Sequence, residues 1–182
     1  MLLYIMAYPD VQENVYKEID AVVKWRIVSL KKKKSLPYTE AVFLEVGRIV
    51  SPTPFDAPHF TIMDAKIGDY DGDKDSVVLM NLYSVHYDKD YLGDPECFRP
   101  DRFLDNNGTL DADKCSHSIP FGNGRRSCIG EQQAKLNIFL SFATMLQKCE
   151  FFKAPGEDLD MSPIPGLVFH PKYFRVSVKD RM

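Results

Sequence analysis

Apolar residues recur at helical spacing near the start of the chain. Val11, Val15, Ile19 and Val22 follow Pro9-Asp10, which predicts a helix opening at Pro9, where proline suits the first turn. Before it, Met1 to Tyr8 is apolar almost throughout. Chain ends are ordinarily polar and loosely held, so this run reads as the buried end of a helix whose earlier part is missing. A second helix is predicted from Pro37, with Thr39 and Glu40 in its first turn. Val42, Phe43, Val46, Ile49 and Val50 form its apolar set, and Ser51-Pro52 stops it. Between the two helices lie four consecutive lysines, Lys31 to Lys34. No aromatic residue interleaves with them, so the run reads as a solvated loop rather than a nucleic-acid or membrane patch.

Beyond Pro54 and Pro58 the period changes. Phe60 to Ile67 and Val77 to Leu82 predict short strands around an Asp- and Gly-rich turn, Asp69 to Asp75. Residues 83–127 carry many Asp, Pro, Gly and Asn residues and predict a long irregular segment, a feature often tied to function. A strong helix follows from about Ile129 to Lys148. Leu136, Phe139, Leu140, Phe142, Ala143 and Leu146 cover most of its circumference, which predicts burial on nearly all sides. The tail, Cys149 to Met182, reads as strands separated by Pro-rich turns. The fold class is mainly α with small β-sheets (α+β), without repeats or low-complexity tracts.

Composition narrows the function. With 23 Lys and Arg against 26 Asp and Glu, the formal charge is −3. That argues against nucleic-acid binding through bulk positive charge. The four cysteines form no Cys-x-x-Cys pair, so a zinc ribbon is not expected and a reducing compartment is. The apolar run at Met1 to Tyr8 is far short of the roughly 20 residues needed to span a bilayer.

The chemistry concentrates in Phe121-Gly122-Asn123-Gly124-Arg125-Arg126-Ser127-Cys128-Ile129-Gly130. A glycine-rich loop places a cysteine at the predicted start of the long helix. The unpaired N–H groups and partial positive charge there favour thiolate, and N–H groups aimed at sulfur tune a bound metal. Gly122, Gly124 and Gly130 permit tight turns and close approach of a flat ligand. Arg126 can pair with a carboxylate of such a ligand. A structural cysteine in a glycine loop is the alternative. A phosphate-binding loop is weaker, because its Gly-Lys-Ser/Thr ending is absent.

This stretch resembles the haem-binding signature of the cytochrome P450 haem-thiolate monooxygenases, Phe-x-x-Gly-x-Arg-x-Cys-x-Gly. Phe121, Gly124, Arg126, Cys128 and Gly130 match every fixed position. Glu45-Val46-Gly47-Arg48 matches the family's Glu-x-x-Arg; alone, its spacing would read as an ordinary helical ion pair. Phe98-Arg99-Pro100-Asp101-Arg102-Phe103 matches the segment between that helix and the haem loop. The resemblance makes Glu45, Arg48 and Arg102 a structural triad. Pro58-His59-Phe60-Thr61 is one residue shorter than the common family form, and implies His59 as a partner of a haem propionate. His86 also looks family-like but is assigned no ligand role. Asp71 to Ser76 departs from the Ile-Pro-x-Gly-Thr type of turn found in relatives.

What the resemblance implies is one partial domain over residues 1–182, the carboxy-terminal, proximal-haem part of the fold. The amino-terminal membrane anchor, the distal half of the pocket and the helix carrying the Ala/Gly-Gly-x-x-Thr segment would lie outside it. Cys128 would be the axial ligand of haem b (iron protoporphyrin IX), with Phe121, Gly122, Gly124, Arg126, Gly130 and His59 around the cofactor. Oxygen from O2 would enter an apolar organic substrate. Electrons would come from NADPH through a flavoprotein reductase docked in part on Arg125 and Lys135, or these two are ordinary solvated charges. Similarity to animal microsomal members implies the cytosolic face of the endoplasmic reticulum membrane. The alternatives are a truncated, non-catalytic haem-binding fragment and a haem-thiolate isomerase that needs no reductase.

Overall fold

The computed structural model describes residues 1–181. The chain opens with two short-linked helices, α1 (Leu2–Ala7) and α2 (Pro9–Val23). Pro9 occupies the first turn of α2, as expected of a residue with a fixed φ and no N–H to lose. Leu3, Ile5 and Met6 of α1 are buried, as are Val15, Ile19 and Val23 of α2. The lysine run forms a 3-10 stretch, Leu30–Ser35. Lys33 in it bonds Glu40 and lies 5.3 Å from the centre of the Phe139 ring, so only part of the run is simply solvated.

The next helix, α3 (Pro37–Val50), has no capping side chain of its own. Glu18 of α2 supplies one: it accepts from the N–H groups of Tyr38 and Thr39, both at 2.8 Å, and from Thr39 Oγ1 at 2.6 Å. A carboxylate at a helix amino terminus satisfies orphan donors and the dipole together. Here it also fastens α2 to α3. At the other end Ser51 adopts a left-handed conformation, φ 40°, and stops the helix.

The strand expectations hold only in part. Two-stranded antiparallel pairs form between β1 (His59–Phe60) and β4 (Val77–Val78), and between β2 (Ala65–Ile67) and β3 (Tyr70–Gly72). The predicted strand Phe60 to Ile67 is broken at Thr61, whose hydroxyl donates to the Asp73 carbonyl at 2.6 Å. The predicted turn Asp69 to Asp75 contains β3; the turn proper is Gly68-Asp69, with Gly68 at φ +59°. The strand expected up to Leu82 ends at Val78, because Asn81 caps α4 (Leu82–His86). Residues 83–127 are less irregular than expected. They hold α5 (Lys89–Leu92), α6 (Ala112–Ser116) and 3-10 turns at Pro100–Phe103 and Gly124–Arg126. The Asp density there is partly capping: Asp88 and Asp111 each accept from two N–H groups of the helix that follows.

The longest helix, α7 (Glu131–Lys148), packs on α2 and α3. Its side chains Phe139, Phe142, Ala143 and Leu146 join Val15, Ile19, Val42 and Val46 in the core. The expectation of burial all round is corrected. Gln132, Gln133, Asn137, Ser141 and Lys148 form an exposed polar stripe, while Leu136 and Leu140 flank the buried face and are only half-buried. After α7 the chain forms β5 (Cys149–Lys153), paired in register with β8 (Val176–Asp180), and a small pair, β6 (Pro163–Ile164) with β7 (His170–Pro171). Gln12 of α2 meets both backbone groups of Phe151 in β5, donating at 3.0 Å and accepting at 2.7 Å. Among the described residues no helix is long and apolar enough to cross a membrane.

Candidate functional site

Three charged groups from two segments meet in the interior. Glu45 and Arg48 lie three apart on α3, and Arg102 sits in the 3-10 turn Pro100–Phe103. Glu45 and Arg48 are essentially unexposed and Arg102 nearly so. Glu45 Oε2 accepts from Arg48 Nε at 2.8 Å. Its Oε1 accepts from Arg48 Nη2 at 2.8 Å, the Arg99 N–H at 2.8 Å and Arg102 Nε at 3.1 Å. The remaining guanidinium donors are also placed. Arg48 Nη1 donates to the His86 carbonyl at 2.7 Å, and Arg102 Nη2 to the Cys97 carbonyl at 3.0 Å. Asp94, half in solvent, accepts from Arg102 Nη2 at 3.1 Å and supplies the second negative charge. That partner was not anticipated; its only local signal is a Gly-Asp-Pro turn.

The same helix holds the approach to the cysteine loop. Ser118 Oγ donates to the Leu44 carbonyl at 3.4 Å, and the Pro120 ring lies 3.5 Å from where a Cβ on Gly47 would stand. Thr53, just beyond α3, donates from Oγ1 to the Pro120 carbonyl at 3.2 Å. His86, wholly buried, accepts the Ile119 N–H on Nε2 at 3.0 Å. Three successive residues, Ser118 to Pro120, are thus held against α3, Thr53 and His86 before the loop begins.

The loop closes on itself through the Cys128 N–H, which donates to the Phe121 carbonyl at 2.9 Å. Gly122 and Gly124 have φ of +78° and +79°, a region that side chains rarely tolerate. Asn123 Oδ1 accepts the Gly124 N–H at 2.8 Å. One expectation is corrected here. Cys128 does not start the helix: α7 begins at Glu131, with Gly130 as its cap. Among the described residues no hydrogen bond reaches the Cys128 sulfur, which is exposed. The helix's free N–H groups begin beyond it, because Cys128 and Ile129 turn the chain before α7 winds up.

A family model, Cytochrome P450, matches residues 1–178. The chain belongs to the cytochrome P450 family. Cytochrome P450 1A1 of Rattus norvegicus is 41% identical over 167 residues, which is 91% of this chain and 32% of that protein. The Oryctolagus cuniculus protein of the same name is 40% identical over the same shares, and that of Limanda limanda 39% identical over 94% of this chain and 33% of its own length. The chain therefore spans about a third of the length of the curated relatives it matches.

The family implies haem, and the donor chemistry of the loop fits it. Among the described residues no group of three or more His, Cys, Asp or Glu could hold a bare metal ion. A metal already held in a macrocycle needs one further ligand, and a soft, exposed thiol suits iron. Gly130 lies beside the sulfur: a Cβ there would be in ordinary van der Waals contact with it at 3.8 Å. Arg126 is exposed and, among the described residues, has no ion-pair partner, so its charge remains for an anionic group. The half-buried His59, on β1, has no hydrogen bond to its ring among the described residues. Phe121 is half-buried beneath Lys135, whose ammonium stands 5.8 Å from the ring centre. Lys135 is also paired with Glu131 at 2.6 Å, whereas Arg125 is exposed and, among the described residues, has no ion-pair partner. Asp56 Oδ2 is buried without a partner among the described residues and would stand 2.9 Å from a Cβ on Gly122.

An apolar cavity of about 480 Å³ lies apart from the cysteine loop. Tyr4, Ile49, Phe55, Tyr87 and Phe174 are among its lining residues, and none of the Phe121 to Gly130 residues is. Tyr87, at its edge, donates to the Ile49 carbonyl at 2.7 Å. Burial, with smaller effects from neighbours, pushes its phenol up to about 12.

Proposed function

We propose that this protein is a haem-thiolate monooxygenase that inserts one atom of O2 into an apolar organic substrate. The observation that carries the reading is Cys128: exposed, free of hydrogen bonds at sulfur among the described residues, and set in a loop that matches the family signature at every fixed position. Haem b, when bound, supplies the oxygen activation, and the thiolate ligand favours O–O cleavage. The chain's own contribution is positional. Cys128 offers the axial sulfur. Phe121, Gly122, Gly124 and Gly130 shape the bed on which a flat cofactor rests, and Arg126 and His59 offer donors to its propionates. The Glu45–Arg48–Arg102 triad clamps the helix beneath the loop.

Electrons are expected from NADPH through a flavoprotein reductase. Arg125 is the stronger candidate for docking it, since Lys135 is already paired with Glu131. Similarity to microsomal members supports the cytosolic face of the endoplasmic reticulum membrane.

The test is the carbon-monoxide difference spectrum of the reduced, haem-loaded protein, beside Cys128→Ser. A strongly red-shifted Soret band, abolished by the substitution, is expected. A band that survives Cys128→Ser, or never appears, overturns the assignment of Cys128.

A further inference from the structure

We propose that His86 is the positioning residue of the thiolate loop, its neutral imidazole fixing Ile119 and, through it, the stretch that carries Cys128. This rests on the haem-thiolate reading of that cysteine. A backbone N–H can only donate, so the Ile119 contact at 3.0 Å requires Nε2 to be unprotonated. Nδ1 then carries the proton and donates to Ser51 Oγ at 3.0 Å. Ser51 is the buried left-handed cap of α3. The tautomer is therefore set by its neighbours on both sides.

The backbone of the same residue takes Arg48 Nη1 at 2.7 Å. One residue thus joins the triad, the end of α3 and the entrance to the loop. Ile119 lies two residues before Phe121, whose carbonyl holds the Cys128 N–H. Burial, helped by the Arg48 charge, lowers the imidazole pKa to about 4, so the acceptor persists at neutral pH. Leu44, Gly47 and Thr53 also touch the approach, at Ser118 and Pro120, but His86 supplies the side-chain acceptor for the Ile119 N–H.

The test uses the full-length holoprotein and two near-isosteres. His86→Gln sets an amide oxygen where Nε2 stands and can still accept from Ile119. His86→Asn reaches only the Nδ1 level and can meet Ser51 but not Ile119. Three readouts are taken: the share of the red-shifted ferrous–CO Soret band, the exchange rate of the Ile119 amide hydrogen, and the thermal midpoint. The expected result is that Gln retains most of the shifted band and the amide protection, while Asn loses most of both although the two midpoints fall alike. Gln and Asn variants with equal bands, or a fast-exchanging Ile119 amide in the wild type, overturn the role of His86 and leave the haem reading standing. A wild type without the shifted band overturns the haem reading itself, and the proposal with it.

Discussion

Glu45 is the residue on which the interior charges turn. Its two oxygens receive four N–H donors, three of them from guanidinium groups. Charge-assisted bonds of this kind are roughly twice as strong as neutral ones. Desolvation opposes them: two arginines and one glutamate leave water here, and only the half-exposed Asp94 balances the second positive charge. Such a cluster adds little net stability over apolar residues, but losing one member strands a buried charge at a cost of about 3–5 kcal/mol. Glu45→Gln keeps the shape and removes the charge. Its expected loss is in that range, whereas Asp94→Asn at the solvent edge, where water screens the pair, should cost much less. Denaturant midpoints of the two variants check this. Equal losses would mean that Asp94 anchors the arginines as much as Glu45 does.

At the scale of elements, the sharpest constraint is where the cysteine loop passes the segment after α3. A methyl at Gly122 would meet Asp56 Oδ2 at 2.9 Å, on a backbone at φ +78°. Gly124 has nearly the same φ, +79°, with nothing within 4 Å. Gly124→Ala should therefore cost only the backbone term, about 1–2 kcal/mol. Gly122→Ala should cost more, and adding Asp56→Ala should recover the difference but not the backbone term. Thermal unfolding of the two single variants and the double variant measures this; a Gly122→Ala loss no larger than that of Gly124→Ala would remove the contact from the account. These elements differ in how plainly the sequence announces them. The helices α2, α3 and α7 were legible because their apolar residues repeat at helical spacing and Pro9 and Pro37 mark two starts. The β2–β3 hairpin was not, because all of β2 and most of β3 are exposed and no apolar alternation marks them. The site divides the same way. Cys128, Glu45, Arg48 and Arg102 stand in motifs of fixed spacing. Gln12 on Phe151, Glu18 on α3 and His86 on Ile119 act across 139, 20–21 and 33 residues, where no local pattern reveals them.

For the whole molecule the relevant contrast is between total and local charge. The chain carries −3, yet residues 121–135 hold Arg125, Arg126 and Lys135 against Glu131 alone, a local balance of 3 − 1 = +2. A basic patch on an acidic body orients an acidic partner more than it binds it, because rim charges act mainly on association rate. The structure ranks the cations. Lys135 is neutralised by Glu131 at 2.6 Å, and Arg125 has no ion-pair partner among the described residues. Arg125→Glu should therefore slow association with an acidic flavoprotein reductase by about tenfold at low salt. Lys135→Glu should slow it less, since Glu131 already offsets that lysine, and Glu131→Gln should speed it by releasing the lysine. All three effects should fade together as salt shortens the Debye length below about 10 Å. Stopped-flow association across a salt series, with the ferrous–CO band confirming intact haem ligation in each variant, separates docking from folding. A rate for Arg125→Glu equal to wild type at low salt would show that the reductase approaches some other face.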